Sequence, residues 1–201
     1  MSNGNGSITQ RPDFAAIAGW VSMGSSALDL GCGDGGLLRY LRESRRVTGY
    51  GVEIDDEGVA ACVKNGVNVI QTDLDRGLSD FESGSFDYVI LSLTLQTIKN
   101  TERVVADMLR VGREGIVTFP NFGYWKNRLQ VIGGRMPVSD SLPYEWHNTP
   151  NRHLCTIADF ERFCAARSVK ILERKVLTRG QPVSLMPNLF GSLAVYRFQK
   201  A

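Results

Sequence analysis

Between Asp29 and Gly36 the chain reads DLGCGDGG, with four glycines and two aspartates in eight residues. Glycine lets a backbone come close to a ligand because no Cβ intervenes. Gly31, Gly33 and Gly36 match the dinucleotide fingerprint GxGxxG. Gly31, Gly33 and Gly35 match equally well the tighter loop of S-adenosylmethionine (SAM) proteins, so the glycines alone leave the ligand open. The acids narrow the choice. Asp29, Glu53 and Asp73 stand at or just past the ends of three successive apolar runs. A pyrophosphate at the loop would be repelled by Asp29 and Asp34. SAM has no phosphate; its ammonium, sulfonium and ribose diol all suit carboxylates.

On this reading Asp29 faces the ammonium, directly or through water, and Glu53 accepts from both ribose hydroxyls. Asp73 accepts from the adenine amino group, and Ile54 or Leu74 packs on the purine. Ser92, at the end of a fourth apolar run, completes the expected cofactor-binding set of Asp29, Gly31, Gly33, Gly35, Glu53, Ile54, Asp73, Leu74 and Ser92. Any one of these acids alone reads as a helix cap or a solvated loop residue. In register with the glycine loop, they favour SAM or S-adenosylhomocysteine over nicotinamide or flavin.

A second group of reactive side chains lies in the segment Asn121–Leu154, which holds Tyr124, Glu145, His147 and His153. Histidine titrates near neutral pH and serves as a general base. Spacing fixes no nucleophile or orienting acid beside either histidine, so backbone hydrogen bonding is the competing role. Tyr124, Glu145, His147 and His153 are therefore weak catalytic candidates. His153 to Cys155 reads HLC, but no second ligand pair follows at metal spacing, so no metal site is expected. Trp125, Leu129 and Ile132 form an apolar stripe at helical spacing, with Lys126, Arg128 and Arg135 expected to stay solvated. That stripe suits a helix over the site or against a partner better than a nucleic-acid surface.

The elements that must position these groups alternate. Apolar runs in SALDL, VTGYGVEID, VNVIQTD, SFDYVILSL and GIVTFP predict five strands. Helical spacing lies between them: Gly36–Glu43, a helix from an Asp56 cap to Asn65–Gly66, and Thr101–Arg110. A short opening helix is expected in PDFAAIAGWV. Strands read as continuous apolar runs when both faces are covered, so a doubly wound α/β sheet follows, mostly parallel. After the Asn121–Leu154 segment, with a helix over Tyr124–Val131, a capping box at TIAD opens another helix, and VKILERKVL and LAVYRFQ close the chain as strands. Residues 11–201 are expected to form one domain, with 121–154 as a cap or partner-binding insertion and residues 1–10 as a disordered tail.

Composition excludes several classes. Of 201 residues, 43% are hydrophobic and 22% charged, ordinary for a globular domain. The net charge of +2 is too small to argue for nucleic acid or a membrane surface. No apolar run reaches spanning length, and MSNGNGSITQ lacks the apolar core of a signal peptide. The four cysteines, Cys32, Cys62, Cys155 and Cys164, show no disulfide spacing, which points to a reducing cytoplasm. Cys62 and Cys164 fall on apolar helix faces and are expected in the core.

The stretches LDLGCGDGGLL, GYGVEID and VIQTDLDRGL are shared by many class I methyltransferases. SFDYVILSLTLQ, MLRVGREGIVTFPNFGYW, GRMPVSDSLPYEW and TPNRHLCTIADF are longer and more distinctive, and with them the chain resembles the MetW family over about residues 11 to 180. The resemblance implies the seven-stranded class I methyltransferase fold with a reversed last strand. It also implies work in methionine biosynthesis together with homoserine O-acyltransferase, the MetX enzyme. Two departures from ordinary methyltransferases bear on catalysis. RVGREG replaces the frequent Pro-Gly-Gly before the fifth strand, and Gln96 stands where many small-molecule methyltransferases present a histidine. Glutamine cannot act as a general base. Three roles follow: a SAM-binding partner of the acyltransferase, a methyltransferase acting on a small molecule, or a fold kept only as an interaction surface.

Overall fold

The computed structural model describes residues 11–201; the tail expected over residues 1–10 lies outside them. Eight strands form one sheet: β1 (Ser26–Leu30), β2 (Thr48–Glu53), β3 (Val69–Gln71), β4 (Phe86–Ser92), β5 (Gly112–Pro120), β6 (Val169–Thr178), β7 (Gln181–Pro182) and β8 (Leu193–Lys200). Their order is β3-β2-β1-β4-β5-β8-β6-β7. The first five strands run parallel, and β8 lies antiparallel between β5 and β6. The order reverses between β1 and β4, so a crevice opens at the carboxyl ends of those strands.

Both faces are covered. On one, α1 (Pro12–Ala18) and α2 (Gly36–Arg45) bury Ile17 and Leu41 against Ile90, Ile116 and Val195. On the other, α4 (Thr101–Val111) and α6 (Ile157–Ala166) bury Met108 and Phe160 against Leu28, Val89, Phe119 and Tyr196. Neighbours along a strand alternate between the two cores, as the pleat requires. Cys62, on α3 (Asp56–Lys64), and Cys164 are buried as expected.

The structure corrects several sequence expectations. The sheet has eight strands, because the chain turns after β6 and adds the two-residue β7 at the edge. β3 is only three residues long, because Asp73 leaves the strand to cap a 3-10 turn over Leu74–Arg76. Asp55, not Asp56, caps α3, accepting from the Gly58 N–H at 3.0 Å. The capping box of α6 forms as expected, with Thr156 and Asp159 bonded reciprocally.

Residues 121–154 are anchored at their base rather than loose. Asn121 is fully buried, and its Nδ2 donates to the Gly191 carbonyl at 2.8 Å and the Asn188 carbonyl at 3.1 Å. Its Oδ1 accepts from the N–H groups of Gly123 at 3.0 Å and Ile157 at 3.3 Å. One side chain thus joins the end of β5 to the starts of α5 (Trp125–Ile132) and α6, and to α7 (Pro187–Phe190). Among the described residues, no helix is long and apolar enough to cross a membrane.

Candidate functional site

The glycine loop joins β1 to α2 at the mouth of the crevice. It is held from below by the Val52 carbonyl, which accepts from the N–H groups of Gly31 at 2.8 Å and Cys32 at 3.0 Å. Gly31 has a φ of 70°, and a Cβ there would meet the Thr94 side chain at 2.6 Å, so only glycine fits. Gly33 has a φ of 56°, and nothing lies within 4 Å of where its Cβ would be. That empty cradle faces out of the loop. Cys32 and Cys62 pack behind it with their sulfurs 3.6 Å apart, and burial pushes both thiols up, away from thiolate chemistry.

Asp29 pairs with Gly51 on one side and Ile90 on the other, in the middle of the sheet. Its carboxylate is buried, and Oδ1 has no hydrogen-bond partner among the described residues. Burial pushes its pKa up from 3.8 to about 7, against the opposing pull of Arg11, with Asp13 and Glu53 adding repulsion. Such an oxygen needs a donor.

Glu53 ends β2. Its Oε2 accepts from the Gly33 N–H at 2.8 Å, and its Oε1 from the N–H groups of Ile54 at 2.8 Å and Asp55 at 3.1 Å. A carboxylate offers about four lone-pair sites, so roughly one remains open. Accepting from both hydroxyls of a diol would require the loop or the turn to release an N–H. Asp73 Oδ1 accepts from the Asp75 N–H at 2.9 Å, leaving its second oxygen without a partner among the described residues. Ile54 is 60% exposed at the rim, whereas Leu74 is buried.

Ser92 does not stand open to the crevice. Its hydroxyl donates to Asp13 Oδ2 at 2.9 Å and accepts from Arg11 Nη2 at 3.1 Å. Arg11 also pairs with Asp13 at 2.5 Å, and its guanidinium lies 4.3 Å from the Phe14 ring centre. Sequence reasoning missed Arg11 and Asp13. The available signal was Asp13 among the apolar residues of a helix face, since a carboxylate buried there demands a fixed cation.

Beside this cluster lies a cavity of about 980 Å³, lined among others by Arg11, Gln96, Tyr124, Lys126, Tyr144 and Arg179. Leu93, on its wall, has a φ of 55°, a strained conformation for leucine at the end of β4. Gln96 Oε1 is buried without a partner among the described residues. Of the four catalytic candidates, only Tyr124 lines this cavity. Glu145 and His147 are exposed, 3.6 Å apart, on the outer loop. His153 lines a separate cavity of about 430 Å³ with Phe119, Phe160 and Phe163. The four do not form one constellation. Among the described residues no group of three or more His, Cys, Asp or Glu is placed to hold a metal ion.

On α5, Trp125, Leu129 and Ile132 are exposed, Ile132 to 81%. Arg128 is not free in solvent: its Nε donates to the Gly123 carbonyl at 2.6 Å and its Nη2 to the Asn188 carbonyl at 3.4 Å. That contact brings α7 alongside, where Leu185, Met186 and Phe190 are also exposed. Met186 has a φ of 43°.

Comparison with known proteins gives three kinds of match. The family model "Methionine biosynthesis protein MetW" matches residues 11–198. A curated relative from Rhodopirellula baltica, "Bifunctional methionine biosynthesis protein MetXA/MetW", is 39% identical over 207 residues, covering 96% of this chain and 33% of the relative. The chain therefore spans about a third of that relative's length. Among solved structures, a SAM-dependent methyltransferase from Mesorhizobium loti aligns with a TM-score of 0.72 at 15% identity, covering 96% of this chain and 100% of that one. Another from Archaeoglobus fulgidus gives a TM-score of 0.69 at 14% identity, covering 97% and 95%. At these identities the likeness establishes the fold, the class I SAM-dependent methyltransferase fold expected from the sequence.

Proposed function

The chain belongs to the MetW family, and from that premise we propose that it is a SAM-binding accessory subunit of homoserine O-acyltransferase, the MetX enzyme of methionine biosynthesis. The observation that carries the reading is the relative whose name joins MetXA and MetW in one polypeptide. Two activities joined in one chain act at a fixed, high effective concentration. Separate chains need a surface instead. The exposed apolar groups of α5 and the turn before α7, bridged by Arg128, supply residue types common at interface hot spots.

The cofactor half of the proposal rests on the crevice. The unpartnered Asp29 Oδ1 suits an ammonium donor, and the empty cradle at Gly33 admits a ligand against the loop. Glu53 would accept from the ribose, Asp73 from the adenine amino group, and Ile54 would cover the purine. When bound, SAM supplies a sulfonium-activated methyl group. The chain's own residues place no histidine in the adjoining cavity, and Gln96 cannot take a proton. A binding role is therefore favoured over catalysis. If SAM prefers one state of the complex, it shifts acylation by that difference in affinity.

A second reading is favoured by the cavity of about 980 Å³ and its unpartnered Gln96 Oε1: methyl transfer to a small acceptor lying against Tyr124. Copurification with the acyltransferase, then its assay with and without this chain and SAM, decides between the two. Labelled SAM offered to homoserine-pathway metabolites reads out turnover directly.

A further inference from the structure

At the end of β4, two carboxylates and one guanidinium meet beside the glycine loop. Asp13 is 1% exposed and Asp29 2% exposed. The Arg11 side chain is 44% exposed, so it is the one member of the cluster that reaches the crevice from its wall. Pro12 follows it, which holds Arg11 in an extended backbone with φ −97° and ψ 100°. Asp13 and the Ser92 hydroxyl then fix the guanidinium from behind at 2.5 and 3.1 Å. A guanidinium has five donors, and these two contacts engage Nε and Nη2, with Nη1 making no contact among the described residues. Close by, Asp29 Oδ1 lacks a donor. One open cationic donor and one open anionic acceptor, held on a single wall, complement a zwitterion.

We infer that Arg11 reads the α-carboxylate of the bound ligand while Asp29 reads its ammonium, so that the site selects adenosyl ligands carrying an intact amino acid. This rests on the cofactor reading above and goes beyond it by assigning specificity to a residue outside the glycine loop. The site would discriminate S-adenosylhomocysteine from 5′-methylthioadenosine, which shares the adenosine and the sulfur but lacks the amino acid. Charge-assisted bonds from a preorganised guanidinium are worth more than neutral ones, so the discrimination is large.

Calorimetric titration of the full chain with each of these two ligands tests the assignment. Wild type should bind S-adenosylhomocysteine more tightly than 5′-methylthioadenosine. Arg11→Gln should weaken S-adenosylhomocysteine by about tenfold to a hundredfold and leave 5′-methylthioadenosine within about twofold. Arg11→Gln also leaves Asp13 buried without its cation, so the double variant Arg11→Met/Asp13→Asn removes the charge pair together. It should keep the fold by circular dichroism and show the same selective loss. Equal weakening of both ligands, or no weakening of either, overturns the assignment while the cofactor reading stands. Failure of wild type to bind any adenosyl ligand overturns the cofactor reading and this inference with it.

Discussion

Replacing Asp29 by asparagine should stabilise the protein at alkaline pH and not at acidic pH. The Asp29 carboxyl is buried, and its pKa rises from 3.8 to about 7. The native state therefore holds this proton more tightly than the unfolded chain. Between about pH 4 and 7 the unfolded chain has lost the proton while the native chain keeps it, so stability falls as pH rises through that window. A shift of about three units at about 1.4 kcal/mol each gives a cost of about 4 kcal/mol, complete above pH 7. Asparagine removes the charge and leaves a neutral buried amide, which costs about 1–3 kcal/mol. The net expectation for Asp29→Asn is a gain of about 1–3 kcal/mol at pH 8. At pH 5, where Asp29 is protonated, the expectation is a loss of similar size or none. Urea unfolding of both proteins at the two pH values measures the difference, and the comparison cancels all other titrating groups. A mutant less stable than wild type at pH 8, or an effect of equal size at both pH values, would refute the burial argument. The same substitution should weaken S-adenosylhomocysteine, since a group kept at a cost to stability marks a binding role.

Other substitutions probe the rest of the account. Glu53→Ala should cost about 1.5–3 kcal/mol of SAM binding, or roughly tenfold to a hundredfold in affinity, by calorimetry. Because Glu53 also holds the Gly33 N–H, a loss confined to stability with affinity unchanged would count against its ligand role. Asn121→Ala strands the N–H groups of Gly123 and Ile157 and two carbonyls, and should lower unfolding free energy by about 2–4 kcal/mol. Trp125→Ala, alone or with Met186→Ser, should weaken association with the acyltransferase by at least about 2 kcal/mol while SAM affinity stays normal. Size-exclusion chromatography of the mixed proteins reads the first effect and a separate SAM titration the second.

The parallel sheet was legible because each of its strands is a short apolar run closed by glycine, proline or an acid. The Thr156 capping box was legible because its signal spans only four residues. β7 was not, since Gln181 and Pro182 carry no strand pattern and are paired only because the chain reverses at Arg179 and Gly180. The cap of α3 was misplaced by one residue because Asp55 and Asp56 are equally good caps locally, and tertiary geometry chooses between them. At the site, the glycines and strand-end acids were read from type and register. Their occupancy was not: Glu53 already accepts from three N–H groups, and Ser92 is taken up by Arg11 and Asp13. Such pairings join residues far apart in the chain. For the same reason His147 and His153, six positions apart, end in different environments.

The central claim is that this chain binds SAM and acts through homoserine O-acyltransferase. The most direct measurement mixes the purified chain with that enzyme, follows the complex by size-exclusion chromatography, and assays acylation of homoserine across a SAM titration. The account predicts a complex and an acylation rate that changes with added chain and responds to SAM, with the response lost in Glu53→Ala. No association at any SAM concentration, together with an acylation rate indifferent to the chain, would contradict it.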